Sequence, residues 1–157
     1  MNDWILSLHL LSAFALVGAM TMFSILMVAG WREERPAAQL SLLRLWPFTT
    51  VLVTVGSLGT IVFGVWLALS KDPYDIWDAW IIAAIVLWAI GTELGRRSGT
   101  LLAPVAERAR ELAATSPDEP SAELGTLVRS PQALWFHVGA IAAVVGVLVL
   151  MIWKPGA

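Results

Sequence analysis

A chain of 157 residues has room for one domain; 58 % of this one is hydrophobic, with nine tryptophans and only 14 % charged residues. The charges fall between long apolar runs, the composition of a polytopic membrane protein rather than of a soluble core. A net charge of −2 without any basic stripe excludes a nucleic-acid partner, and the lack of cysteine excludes disulfides, thiolate metal sites and cysteine nucleophiles.

The first apolar run, residues 4–30, has no ionisable side chain except His9. As a helix it would be roughly 40 Å long at about 1.5 Å per residue. That crosses a hydrocarbon core of roughly 30 Å with some tilt. The acidic flank Asn2-Asp3 is not the basic n-region of a cleaved secretory signal, so the run reads as a retained transmembrane helix, stopped by Trp31-Arg-Glu-Glu-Arg35. Three further runs follow, residues 46–70, 76–94 and 134–153, the second with Pro47 in its first turn. Residues 71–75, Lys-Asp-Pro-Tyr-Asp, predict a tight polar turn. The short alternating strands of a membrane barrel are absent. The expected fold is therefore all-α: four transmembrane helices in an antiparallel bundle forming a single domain over residues 1–157.

Arg32, Arg35 and Arg44 lie in the first loop, and Arg96, Arg97, Arg108, Arg110 and Arg129 in the third; only Lys71 and Lys154 lie on the other side. The positive-inside rule then places both long loops in the cytoplasm and both termini outside. In the cytoplasmic segment 95–132, Leu101, Leu102, Val105, Ala109 and Leu112 recur at helical spacing among Glu107, Arg108, Arg110 and Glu111. This predicts an amphipathic helix between the third and fourth spans, along the membrane surface or capping the bundle. It would continue the third span with a break near Gly95, Gly99 or Pro104. Residues 116–120 read as a turn and 121–129 as a short second helix.

In lipid, helices associate through close van der Waals contact, so small residues mark interfaces. Gly18 in the first span, Gly56, Gly59, Thr60 and Gly64 in the second, and Gly139, Ala143 and Gly146 in the fourth are the expected packing positions. In the third, the face Ala79, Ile82, Val86 and Ala89 is expected inward, with Trp77 and Trp88 toward lipid. The remaining boundary tryptophans occupy belt positions.

Three ionisable residues fall within or at the edge of the spans: His9, Glu93 and His137. His9 has the chemistry to bind copper or haem iron, but a hydrogen-bonded structural histidine is the favoured reading. Met20 lies roughly 16 Å further along the same helix, out of reach of a shared ion. Glu93 has two expected partners: Arg96 or Arg97 one turn on, or His137 in an inner-leaflet polar pair. The small-residue face of the fourth span is expected nearly opposite His137. The topology separates His9 from His137 by about 20 Å along the normal, too far for both to bind one haem. No nucleotide-binding loop, Ser/His/Asp arrangement, HExxH or Asp-rich site is present.

The opening Leu8-His9-Leu-Leu-Ser-Ala-Phe-Ala-Leu-Val-Gly18, the loop Arg32-Glu-Glu-Arg35-Pro36 and the ending Leu150-Met-Ile-Trp-Lys-Pro-Gly-Ala157 resemble a family of predicted bacterial integral membrane proteins of unknown function. More distantly, the chain is similar to copper-resistance-D-like four-helix membrane proteins and to the four-helix protoporphyrinogen oxidase of bacteria. That similarity implies that a histidine early in the first span, here His9, holds haem b or copper. The expected function is a non-enzymatic component or accessory subunit of the bacterial plasma membrane. Its surroundings would be the lipid bilayer, with other membrane proteins or a second copy as partners. The alternatives are a haem- or copper-handling protein using His9 and a small transporter using Glu93.

Overall fold

The structure, a computed structural model, describes residues 3–70 and 76–155; the expected turn at 71–75 lies outside them. The described residues form six helices and no strand: α1 (Asp3–Trp31), α2 (Pro36–Leu43), α3 (Trp46–Ser70), α4 (Ala79–Thr115), α5 (Ala122–Val128) and α6 (Pro131–Trp153). Four stretches, α1, α2 with α3, α4, and α5 with α6, are long and apolar enough to cross a membrane. Much of their surface is left bare, including Leu11, Phe14, Ile25, Val55 and Val62. A helix apolar all round, with large side chains uncovered, belongs in hydrocarbon.

Local chemistry fixes the helix ends. Pro36 opens α2 and Pro131 opens α6, where a missing N–H breaks no intrahelical bond. Ser121 and Ser130 cap α5 and α6 by accepting from the backbone N–H groups of Leu124 and Ala133, both at 3.3 Å. Lys154 closes α6 in the left-handed conformation, φ 40°, its N–H donating to the Leu150 carbonyl at 2.9 Å. α4 runs unbroken through Gly95, Gly99 and Pro104, so the expected break is absent. Pro104 costs one backbone bond, and burial of Leu102, Val105 and Ala109 on either side of it offsets that loss.

The helices pack as two pairs. α1 lies along α3 and α4 along α6, while the pairs meet each other only sparsely. Within each pair a glycine allows near-contact of backbones. A Cβ on Gly56 would come within 2.6 Å of the Leu16 nitrogen, and one on Gly91 within 3.0 Å of the Ala143 Cβ. The inward face of α4 is Ile81, Ala84 and Gly91. The face expected inward, Ala79, Ile82, Val86 and Ala89, is exposed. Trp88 turns toward α3 and donates its indole N–H to Ser57 Oγ at 2.9 Å. The correction has a physical reason: hydrocarbon offers the indole N–H no acceptor, and Ser57 does.

The tightest core lies beyond the spans, where α2, α5 and the end of α4 form a cap. Met27, Leu102, Val105, Ala109, Leu124, Val128 and Ala133 are buried together there. Polar ties close over them. Gln39 donates to the carbonyls of Gly30 and Glu33, both at 2.7 Å. Trp31 donates to the Val128 carbonyl at 2.9 Å, and Arg129 bonds Glu34 at 2.6 Å. Arg108 bridges Glu111 and Glu123, each at 2.7 Å. At the rim, hydrogen bonds from Arg35 hold the Glu33 carboxyl down at about 2. The amphipathic segment therefore caps the bundle. α2, within the expected first loop, is its second wall.

Candidate functional site

Because the two pairs meet sparsely, a cleft of about 600 Å³ opens between them, lined by α1, α3, α4 and α6. Its lining is mostly aliphatic and aromatic, including Leu16, Val53, Leu87, Val147 and Met151. Apolar cavities of roughly 300–1,000 Å³ with a few polar groups are the usual form of a small-molecule site. The hydroxyls here are largely spent on their own helices. Thr50 donates to the Trp46 carbonyl at 2.9 Å, Thr54 to Thr50 at 2.8 Å and Thr60 to Gly56 at 2.7 Å. Arg96 is the one charged side chain among the described lining residues.

His137 is buried and lines this cleft. Its Nε2 lies 2.8 Å from Ser24 Oγ, and its ring stacks obliquely on Phe23 at 4.9 Å. Ser24 also donates to the Met20 carbonyl at 2.9 Å, which leaves the imidazole to donate to the hydroxyl oxygen. The pair has the spacing of a nucleophile and base, but no third group among the described residues orients the imidazole, and the serine proton is already given to the backbone. The buried side of α6 carries His137 together with Ala140, Ala143 and Val147. His137 thus faces the bundle, contrary to the expectation that it points away from the small residues.

The expected polar pair of Glu93 and His137 does not form. Glu93 is held by Arg96 at 2.8 Å and Arg97 at 2.7 Å, on an exposed rim. Two guanidinium groups one turn away reach the carboxylate before a histidine on another helix can. His9 donates from Nδ1 to the Thr60 carbonyl at 3.1 Å. A Cβ at Gly64 would lie 3.0 Å from its ring, so the imidazole is wedged into the α1–α3 contact. His137 meets α1 at Ser24, about 22 Å along the helix from His9. Among the described residues no three His, Asp or Glu side chains gather around a possible metal position.

Of the expected packing residues, Gly56 meets Leu16, Gly59 meets Ser12, Gly139 meets Leu94, Gly146 meets Leu87, and Thr60 and Ala143 are buried. Gly18 is exposed with nothing within 4 Å of a Cβ placed there, so it approaches no neighbouring helix. The sequence reading passed over Ser24, Ser57 and Arg96 as parts of the site. Hydroxyls within otherwise apolar runs were the available signal for the first two.

A family model described as a predicted integral membrane protein, DUF2269, matches residues 3–155. The chain belongs to the DUF2269 family. Comparison with curated proteins and with solved structures gave no match, and the likeness to copper-resistance-D-like proteins is not shown. For this DUF2269 member the cleft and its His137–Ser24 wall are the features with the shape of a site.

Proposed function

We propose that this chain is a non-enzymatic membrane protein that holds the hydrocarbon part of a bilayer-soluble molecule in the cleft between the α1–α3 and α4–α6 pairs. One observation carries this reading: a cleft of about 600 Å³ whose lining hydroxyls mostly bond their own helix backbones, leaving a surface suited to hydrocarbon. The haem or copper reading through His9 is less well supported, because that imidazole is wedged against Gly64 and bonded to Thr60. The transporter reading through Glu93 loses support from the two arginines that neutralise the carboxylate. Purified protein should retain about one bilayer-soluble molecule per chain through detergent exchange, released by organic extraction and seen by mass spectrometry. A preparation that carries none, and takes none up from added lipid, would rule the reading out.

We further propose that the cap faces the cytoplasm of a bacterial plasma membrane, with both termini outside. The arginines gathered at the cap end support this. Single cysteines at Ala114 and Asp3 should react with an impermeant maleimide from opposite sides of the membrane, the Asp3 position from outside intact cells. Labelling of Ala114→Cys in intact cells would reverse the assignment.

A further inference from the structure

Resting on that reading of the cleft, we infer that its occupant is an anionic membrane phospholipid, one acyl chain lying in the cleft and the headgroup held at Arg96. The first support is charge. Arg96 and Arg97 converge on the single carboxylate of Glu93, so the cluster is one positive charge in excess. Arg96 is one of its two arginines and also lines the cleft. Its guanidinium can turn to a phosphate while Arg97 keeps Glu93 paired, and guanidinium–phosphate pairs are among the stronger charge-assisted contacts.

Depth is the second support. From Ala79 to Arg96 is about 26 Å of helix, close to the roughly 30 Å thickness of a hydrocarbon core. Arg96 therefore stands at headgroup level, with Gly99, Thr100 and Ala103 of the cleft further toward the cap and the α6 wall down to Met151 in the chain region. The third support is the length of the cleft. Along α6 from His137 to Met151 it runs about 21 Å, more than the roughly 15 Å of one leaflet. One chain of a lipid anchored at Arg96 fits within that length. A zwitterionic lipid would bring its own cation to a rim already in positive excess.

The test is native mass spectrometry of the full chain in detergent micelles supplied with equal amounts of phosphatidylglycerol and phosphatidylcholine. One phosphatidylglycerol adduct per chain is expected, favoured several-fold over phosphatidylcholine. Arg96→Gln should erase the preference and Arg96→Lys should keep most of it. Leu148→Trp and Thr54→Trp, which fill the cleft, should remove the adducts of both lipids. Equal binding of the two lipids by the unaltered chain, or a preference that survives Arg96→Gln, overturns the anionic headgroup while leaving the reading of the cleft intact. Adducts that persist in both cleft-filling variants, or a lipid-free dimer with the cleft covered by a second copy, overturn the inference and that reading together.

Discussion

The cap and the spans of this protein are held together by different physics, although both are helices in contact. In the cap, Leu124 and Ala109 are fully buried and Val105 nearly so, under a lid of ion pairs and indole and amide hydrogen bonds. Ion pairs cover that region, as on a water-facing surface, and removing apolar surface from water stabilises a fold by roughly 25 cal/mol per Å². In the spans the surroundings are already hydrocarbon, and burial there gains little. What holds each pair is backbone proximity at Gly56 and Gly91 and single polar links such as His9 to Thr60. The spans can therefore part into two pairs and leave a cleft without a large penalty, while loosening the cap would uncover its buried apolar side chains. The cap clamps one end of the bundle, and the cleft opens where the clamp no longer reaches.

The same deletion made in both regions tests that contrast most severely. Leu124→Ala empties space in a closed, water-facing core and should cost about 2–5 kcal/mol. Leu148→Ala enlarges a cleft already open and should cost under about 1 kcal/mol, since no new closed cavity is made. Thermal unfolding in detergent, followed by helical circular dichroism, should place the Leu124 variant many degrees below the Leu148 variant. Equal losses would mean the spans are as tightly packed as the cap, and the cleft would lose its standing as a site.

The four spans were legible because length and unbroken hydropathy suffice to predict a membrane helix, and the buried stripe Leu102, Val105 and Ala109 was legible because water imposes a helical period on that segment. α2 was not, because eight residues without charge beside a span look like its approach; Pro36 at the first turn was the unused sign. The face of α4 was misread for a reason peculiar to lipid. Both faces of such a helix are apolar and both carry small residues, so neither hydropathy nor residue size chooses between them; Ala84 and Gly91 face inward, and the indole of Trp88 finds Ser57. Arg96 beside Glu93 was legible from local spacing, and a hydrogen bond from His9 from its depth in the span. The cleft was out of reach: it is a space bounded by four helices, and no single segment encodes it.

A smaller effect separates glycines that bring helices together from those that do not. On Gly56 a methyl group would meet the Leu16 backbone nitrogen at 2.6 Å and its Cα at 2.9 Å, atoms with no rotamer to turn aside. α1 and α3 would have to move apart, an overpacking cost of about 1–3 kcal/mol. Against that stands the helix-propensity gain of alanine over glycine, up to about 1 kcal/mol. Gly56→Ala should therefore be a net loss of up to about 2 kcal/mol by the difference of those two effects. Gly18 has the same propensity to gain and nothing within 4 Å to strike. Gly18→Ala should raise the unfolding temperature slightly or leave it unchanged. The pair is informative because the residue change is identical and both sites lie in spanning helices, so hydrophobicity and propensity cancel between them. Only the distance to the neighbouring backbone differs. If both variants shift stability alike, α1 and α3 do not touch at Gly56, and the division of the bundle into two close pairs around a cleft falls with that contact.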